Sequence, residues 1–334
     1  VRVAFDSRGA TDPRGIGRYS SCLLDALRAT ATGDNEIVET HRPRRADVFH
    51  SPWIDGAMLR CPCPMVVTLH DLVPLKRHSD YLRTGMRFRL RYLAVQRAVR
   101  VIVPTAAVAD DATALLGLED SRVVIVPEAP APAMYPRSPE EVAAVRERHG
   151  LPDRFLLWVG GLQHPDPRKH VAELAATPRQ LPLVLVGPAR QWARELSGVQ
   201  LTGHVSDDEL AAIYTAAHAL VFPSDDEGFG LPPVEALACG TPVVACDVPA
   251  LHEVLGDRAT FVDRGDLGAL VVAAEAARRP APAAPSWTWV DAARVTWAVY
   301  LDSRLSADAG DGVALPSRRR RAARPAPGQP AKQA

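Results

Sequence analysis

Residues 227–235 read EGFGLPPVE and run straight into ALACG. Two carboxylates, Glu227 and Glu235, stand eight positions apart, with a glycine-aromatic-glycine turn and two prolines between them. Pro232 or Pro233 fits the first turn of a helix, where a missing N–H costs nothing, and Gly240 stands where that helix would stop. A helix start offers free N–H groups and the positive end of the helix dipole, so it suits a phosphate or diphosphate; Gly228 and Gly230 let the backbone come close to one. Carboxylates do not serve a phosphate. Glu227 before the turn and Glu235, expected on the first helical turn, are therefore read as acceptors for sugar hydroxyls, and the implied ligand is a nucleotide diphosphate sugar.

Such a ligand needs cations. GGLQHPDPRKH, residues 160–170, follows an apolar strand and puts Arg168 and Lys169 at an expected helix start, where they would meet the phosphates. TLHDLVPL, residues 68–75, puts His70 and Asp71 at the end of another apolar strand, where a carboxylate-oriented imidazole would bind a sugar hydroxyl or steady a developing positive charge. DSRGATDPRGIGRY, residues 6–19, follows the first strand; Gly15 and Gly17 give two of the three glycines of a dinucleotide fingerprint, with no acidic residue closing a second strand about twenty positions on. A plain turn explains that loop as well as a border of the sugar-phosphate or acceptor site does. His164, Asp166 and His170 lack persuasive metal-ligand spacing, and Cys61-Pro-Cys63 is a single CxC with no partner pair, so no metal is expected and the five cysteines are read as reduced thiols.

These residues need strand ends and loops to hold them. Short apolar runs mark strands at 1–5, 47–50, 65–69, 101–104 and 123–126, with helices near 16–29, 82–100 and 106–116. The pattern repeats at 155–159, 183–186, 199–202, 219–222, 242–245 and 260–262, with helices beginning near Lys169, Asp207, Pro232 and Asp266. This alternation predicts two doubly wound α/β domains facing each other across a cleft, with ligands beyond the carboxyl ends of the strands. The expected divisions are 1–130, a hinge at 131–150 that overlaps the Pro-rich stretch 127–141, 151–280, a terminal helix at 286–305 and a disordered basic tail at 306–334.

The chain has 334 residues, 47% of them apolar, and no formal net charge. Its middle part is acidic, 15 basic against 22 acidic residues over 136–305, which argues against a nucleic-acid-binding body. No run of eighteen apolar residues and no signal-peptide pattern occur, so a cytoplasmic protein is expected. Residues 76–100 carry eight Lys/Arg and one Asp among Tyr81, Phe88, Leu90, Tyr92 and Leu93. A basic amphipathic helix of this kind would rest on the inner face of an anionic membrane, or would simply be a solvated face.

The run VFPSDDEGFGLPPVEALACGTPVVACDVPALHEVLGD, residues 221–257, resembles the signature of the retaining family-4 glycosyltransferases of the GT-B fold, also called bacterial group 1 glycosyltransferases. The resemblance implies two Rossmann-like domains, the N-terminal one holding the acceptor, and a last helix that crosses back to the first domain. It implies retaining transfer of a hexosyl group of the mannose or glucose type from a nucleotide diphosphate sugar (UDP- or GDP-linked, among others) to a glycan, lipid-linked or small-molecule acceptor, with no metal and no cofactor. By the same resemblance Glu227 holds donor-sugar hydroxyls and Gly228, Phe229, Gly230 and Leu231 line the sugar or diphosphate. Glu235 holds the ribose, Lys169 and Arg168 hold the phosphates, and His70 lies beside the transferred sugar. Two departures stand out: Gly161 where the family has a basic residue, and PEAP at 127–130 where it has a glycine-containing turn. Rival readings are a catalytically silent GT-B protein that binds a nucleotide sugar or partner, and a glucan synthase or nucleotide-sugar epimerase on the same fold.

Overall fold

The computed structural model describes residues 1–12, 15–77 and 85–308. The N-terminal sheet is built from β1 (Arg2–Phe5), β2 (Glu36–Glu39), β3 (Val48–Ser51), β4 (Met65–Thr68), β5 (Arg100–Val103) and β6 (Val123–Ile125), in the order β2-β1-β3-β4-β5-β6. Around it lie α1 (Gly15–Thr30), the short α2 (Val73–Lys76), α3 (Gly85–Val95) and α4 (Ala106–Leu116). The second sheet is built from β7 (Leu156–Val159), β8 (Leu183–Val186), β9 (Val199–Gly203), β10 (Ala219–Phe222), β11 (Val243–Cys246) and β12 (Ala259–Val262), in the order β12-β11-β10-β7-β8-β9. Its helices are α5 (Pro139–His149), α6 (Val171–Ala176), α7 (Gln191–Arg194), α8 (Asp207–Ala216), α9 (Leu231–Ala238), α10 (Pro249–Leu255) and α11 (Leu267–Glu275), and α12 (Trp289–Asp308) ends the described chain. Every strand pair is parallel.

The central strands β3, β4, β8, β10 and β11 are buried along their whole length, which is why β8, β10 and β11 read as unbroken apolar runs rather than alternating ones. Strand β2, EIVE, sits at the sheet edge with a half-exposed pattern and was not expected from the sequence. The strand order of the second sheet reverses between β10 and β7, the arrangement that opens a crevice at the carboxyl ends of those two strands.

The stretch expected as a hinge, 131–150, is in large part helix. Ser138 caps α5 in a full capping box with Glu141, Gly150 closes it in the left-handed conformation, and α5 packs on α8 of the second domain. The terminal helix runs to Asp308, beyond the expected 305, and most of the expected tail lies outside the described residues. This helix lies against α1 of the first domain. Trp297 Nε1 donates to the Leu27 carbonyl at 3.2 Å, Arg100 pairs with Asp302 at 2.6 Å, and Tyr300 is fully buried beside His50. One apolar cluster therefore runs from Phe5 and Leu23 through Trp289, Trp297 and Tyr300 into Phe155, Val184 and Ile213 of the second domain. Truncating an aromatic of that cluster costs about 3–5 kcal/mol, so α12 ties the two domains together energetically as well as covalently.

Candidate active site

The cleft between the sheets has a volume of about 520 Å³ and is lined by both domains. The candidate donor-side and acceptor-side residues named above reach it: Gly15, Gly17, His70 and Asp71 from the N-terminal side, and Arg168, Lys169, Glu227, Gly228, Phe229, Gly230, Leu231 and Glu235 from the other.

On the C-terminal side, β10 delivers the chain into the loop that carries Glu227, and α9 begins at Leu231 with Pro232 and Pro233 in its first turn. Glu235 stands one turn later than expected, in the second turn of α9, and only 2% of it is exposed. Burial pushes its carboxyl up to about 7, against the pull of the Arg18 guanidinium. The helix expected to start at Lys169 starts instead at Val171. Arg168 and Lys169 occupy a 3-10 turn, Pro167–Lys169, whose start is capped by Asp166, and His170 leaves that turn with φ +44°. The turn is fastened to the Glu227 loop, because Asp225 N donates to the Arg168 carbonyl at 3.0 Å. Arg168 is paired with Asp166 at 3.0 Å, Asp71 at 3.6 Å and Glu227 at 3.8 Å. Burial opposes its charge, and those carboxylates, Glu227 foremost, outweigh the burial and raise its pKa. Arg168 thus holds Glu227 in place and reaches across the gap to Asp71 on the first domain.

On the N-terminal side, Asp71 does not orient His70. That carboxylate comes from Glu128, whose Oε1 lies 3.0 Å from Nδ1, while Nε2 donates to the Pro52 carbonyl at 2.9 Å. Each ring nitrogen faces an acceptor, and the pKa of His70 is raised: burial works against the charge, and Glu128 overrides it. Both ring nitrogens are engaged within the protein, so in this arrangement neither is turned to a sugar hydroxyl. Tyr19 sets the ring edge-on, with centroids 4.5 Å apart, and its hydroxyl lies 3.0 Å from Thr68, which also meets His50, itself bonded to Tyr300 of α12. The crossing helix is in this way linked to the floor of the cleft. A folded-state pKa above the unfolded one stabilises the fold fully below pH of about 6.5, and the contribution is lost as pH rises through the folded value. Glu128→Gln is expected to move the His70 imidazole midpoint downward in an NMR titration; an unchanged midpoint would show that Glu128 does not set the charge.

The two domains touch closely here. Thr105 Oγ1 donates to the Gly228 carbonyl at 2.9 Å, the first two N–H groups of α4 are accepted by Glu253 of α10 at 2.8 and 3.2 Å, and Lys76 pairs with Asp226 at 2.6 Å. The Gly228 backbone lies against the His70 carbonyl, so a Cβ there would stand 1.8 Å from that oxygen. Gly17 is fixed in a similar way, since a Cβ on it would stand 1.9 Å from the Asp12 carbonyl oxygen. Of the basic run at 76–100, Lys76, Arg77, Arg91 and Arg100 are engaged in ion pairs with Asp226, Asp225, Asp55 and Asp302; residues 78–84 lie outside the described residues. Among the described residues no group of three His, Cys, Asp or Glu side chains is arranged to hold a metal, and His170 is turned to Asp225 at 2.8 Å. Cys61 and Cys63 are free thiols with their sulfurs 3.9 Å apart.

Three participants escaped the sequence reading. Glu128 lies within PEAP, so the departure from a glycine turn supplies the carboxylate on His70. Arg18 lies within GIGRYS, next to the glycines, and crosses the gap to Glu235 and Asp207. Asp207 opens α8, where its acidity reads as ordinary helix-start chemistry.

Residues 6–129 match the profile described as Glycosyltransferase Family 4, and residues 153–278 match Glycosyl transferases group 1. The chain belongs to the family-4, group 1 glycosyltransferases. Among its group 1 relatives, the serotype-specific mannosyltransferase WbdA of Escherichia coli is 30% identical over 220 residues, 58% of this chain and 27% of that protein. The D-inositol 3-phosphate glycosyltransferase of Actinosynnema mirum is 34% identical over 278 residues, 73% of this chain and 64% of that protein. The chain thus spans about a quarter of WbdA and less than two thirds of the Actinosynnema protein. Two solved structures share its GT-B fold: HepE from Anabaena in complex with UDP and glucose, and WaaG, a glycosyltransferase involved in lipopolysaccharide biosynthesis. HepE has a TM-score of 0.64 at 17% identity, covering 94% of this chain and 99% of its own, and WaaG has 0.62 at 18%, covering 93% and 96%. Among the described residues of this group 1 member, no helix is long and apolar enough to cross a membrane.

Proposed function

We propose that the chain is a retaining, metal-independent glycosyltransferase that moves a hexosyl group of the mannose or glucose type from a nucleotide diphosphate sugar to a glycan, lipid-linked or small-molecule acceptor. The observation that carries this reading is the joint cleft, in which the Arg168–Lys169 turn and the Glu227–Leu231 loop of one domain face the Glu128-held His70 of the other. The donor lies along the second domain, its sugar against Glu227, its diphosphate toward Lys169 and the amides of Gly228 to Gly230, and its ribose at Glu235. The acceptor enters from the first domain. In the transfer the bond from the anomeric carbon to the phosphate oxygen breaks, the bond to the acceptor oxygen forms on the same face, and the acceptor proton passes to the departing phosphate oxygen. Negative charge grows on that diphosphate, and Lys169 supplies the cationic charge that meets it. The mannosyltransferase relative supports a hexosyl donor.

A thermal-shift panel of UDP, GDP, ADP and dTDP tests the donor site. At one hundred times its Kd the correct nucleotide is expected to raise the melting midpoint by about 3–6 °C, and excess EDTA is expected to leave that shift unchanged. No shift with any of the four contradicts the reading, and a shift that needs added Mg²⁺ or Mn²⁺ contradicts metal independence.

A further inference from the structure

We infer that Arg18 of the first domain completes the ribose site of the second, and that a ribose hydroxyl of the donor bridges Glu235 Oε1 and Arg18 Nη1, so the chain selects ribonucleotide over deoxyribonucleotide donors. This rests on the nucleotide-sugar reading above. Arg18 leaves α1 and crosses the cleft: its Nη2 meets Asp207 Oδ1 at 2.7 Å, and its Nε lies 3.1 Å from Glu235 Oε1. That second approach is an ion pair without a hydrogen bond. Glu235 Oε1 and Arg18 Nη1 are both buried with no hydrogen-bond partner, and both residues line the cavity. The other carboxylate oxygen, Oε2, is taken by the Tyr214 hydroxyl at 3.3 Å, so Oε1 is the atom left to a ligand.

Two orphaned polar atoms on one ion-paired couple, an acceptor on a buried carboxylate and a donor on its guanidinium partner, define the missing group. A phosphate would satisfy Arg18 and be repelled by Glu235, and an ammonium would do the reverse. A hydroxyl donates to one and accepts from the other at once. Asp207 already accepts from Nη2, so Nη1 is the orphaned donor. Because Arg18 and Glu235 belong to different domains, both domains take part in reading the hydroxyl.

Titration calorimetry of the full chain with UDP and GDP, and with their 2′-deoxy and 3′-deoxy analogues, tests this. The wild type is expected to bind the ribonucleotide about 10-fold or more tighter than at least one of its deoxy analogues. Arg18→Ala is expected to weaken the ribonucleotide about 10-fold, leave the deoxy analogue nearly unchanged and bring the discrimination below about 3-fold. Arg18→Lys keeps the charge without the planar fork and is expected to lose the discrimination as well. Wild-type protein that does not discriminate, as when a water fills the gap in every complex, overturns the Arg18 assignment. So does a variant that keeps full discrimination. Absence of any nucleotide binding overturns the donor-site reading and this inference together.

Discussion

Replacing Lys169 with alanine is expected to lower turnover by about 10²–10³-fold, the cost of removing one charge aimed at an atom that becomes more negative in the transition state. The residue sits on the turn that opens into the cleft, beside Arg168. Arg168 is buried among Asp71, Asp166 and Glu227, so much of its charge is already answered and its main work is to hold the Glu227 loop and the facing Asp71. Gly161 adds no charge to the cleft, which leaves more of the diphosphate to Lys169. Because the interaction strengthens as the bond breaks, kcat is expected to fall much more than nucleotide affinity does. Equal losses in both would place Lys169 in ground-state binding, and a rate within threefold of wild type would remove it from the site.

A methyl group at Gly228 is expected to cost about 10²-fold in kcat/KM, since misplacing reacting groups by about 1 Å is enough for such a loss. The backbone angle at Gly228 lies outside the left-handed region, so Gly228→Ala introduces no conformational strain of its own. The added carbon would instead stand 1.8 Å from the carbonyl oxygen of His70, backbone against backbone across the cleft. One domain must retreat from the other, and the Thr105 bond to the Gly228 carbonyl goes with it. Steady-state kinetics together with small-angle scattering of the nucleotide complex check this. Low activity with a more open envelope is expected; wild-type kinetics would mean that this contact is not part of the working state.

Most strands of both sheets were legible because parallel strands buried on both faces leave continuous apolar runs, as in LVLV at β8 and ALVF at β10. The edge strand β2 was not, because EIVE carries no such run. Helix α5 had a readable sign, Ser138 with Glu141 three residues later, but the prolines around it pointed to a hinge. The second-domain half of the cleft was equally legible, since its residues are close in sequence and their spacing is their geometry. The cross-domain half was not. Glu128 reaches His70 over 58 residues and Arg18 reaches Asp207 over 189, and no local periodicity encodes such meetings. Asp71 beside His70 therefore looked like its carboxylate partner, whereas the fold gives Asp71 to Arg168.

The central claim is that the cleft transfers sugar from a nucleotide donor by using the Lys169 charge. Its most direct test is release of nucleotide from UDP-glucose, GDP-mannose and related donors, in wild type and Lys169→Ala side by side, with and without a panel of acceptors. The expected result is release from one donor class by the wild type, accelerated by an acceptor and reduced by about 10²–10³-fold in the variant. Release from no donor, or release that the variant matches, would contradict the account.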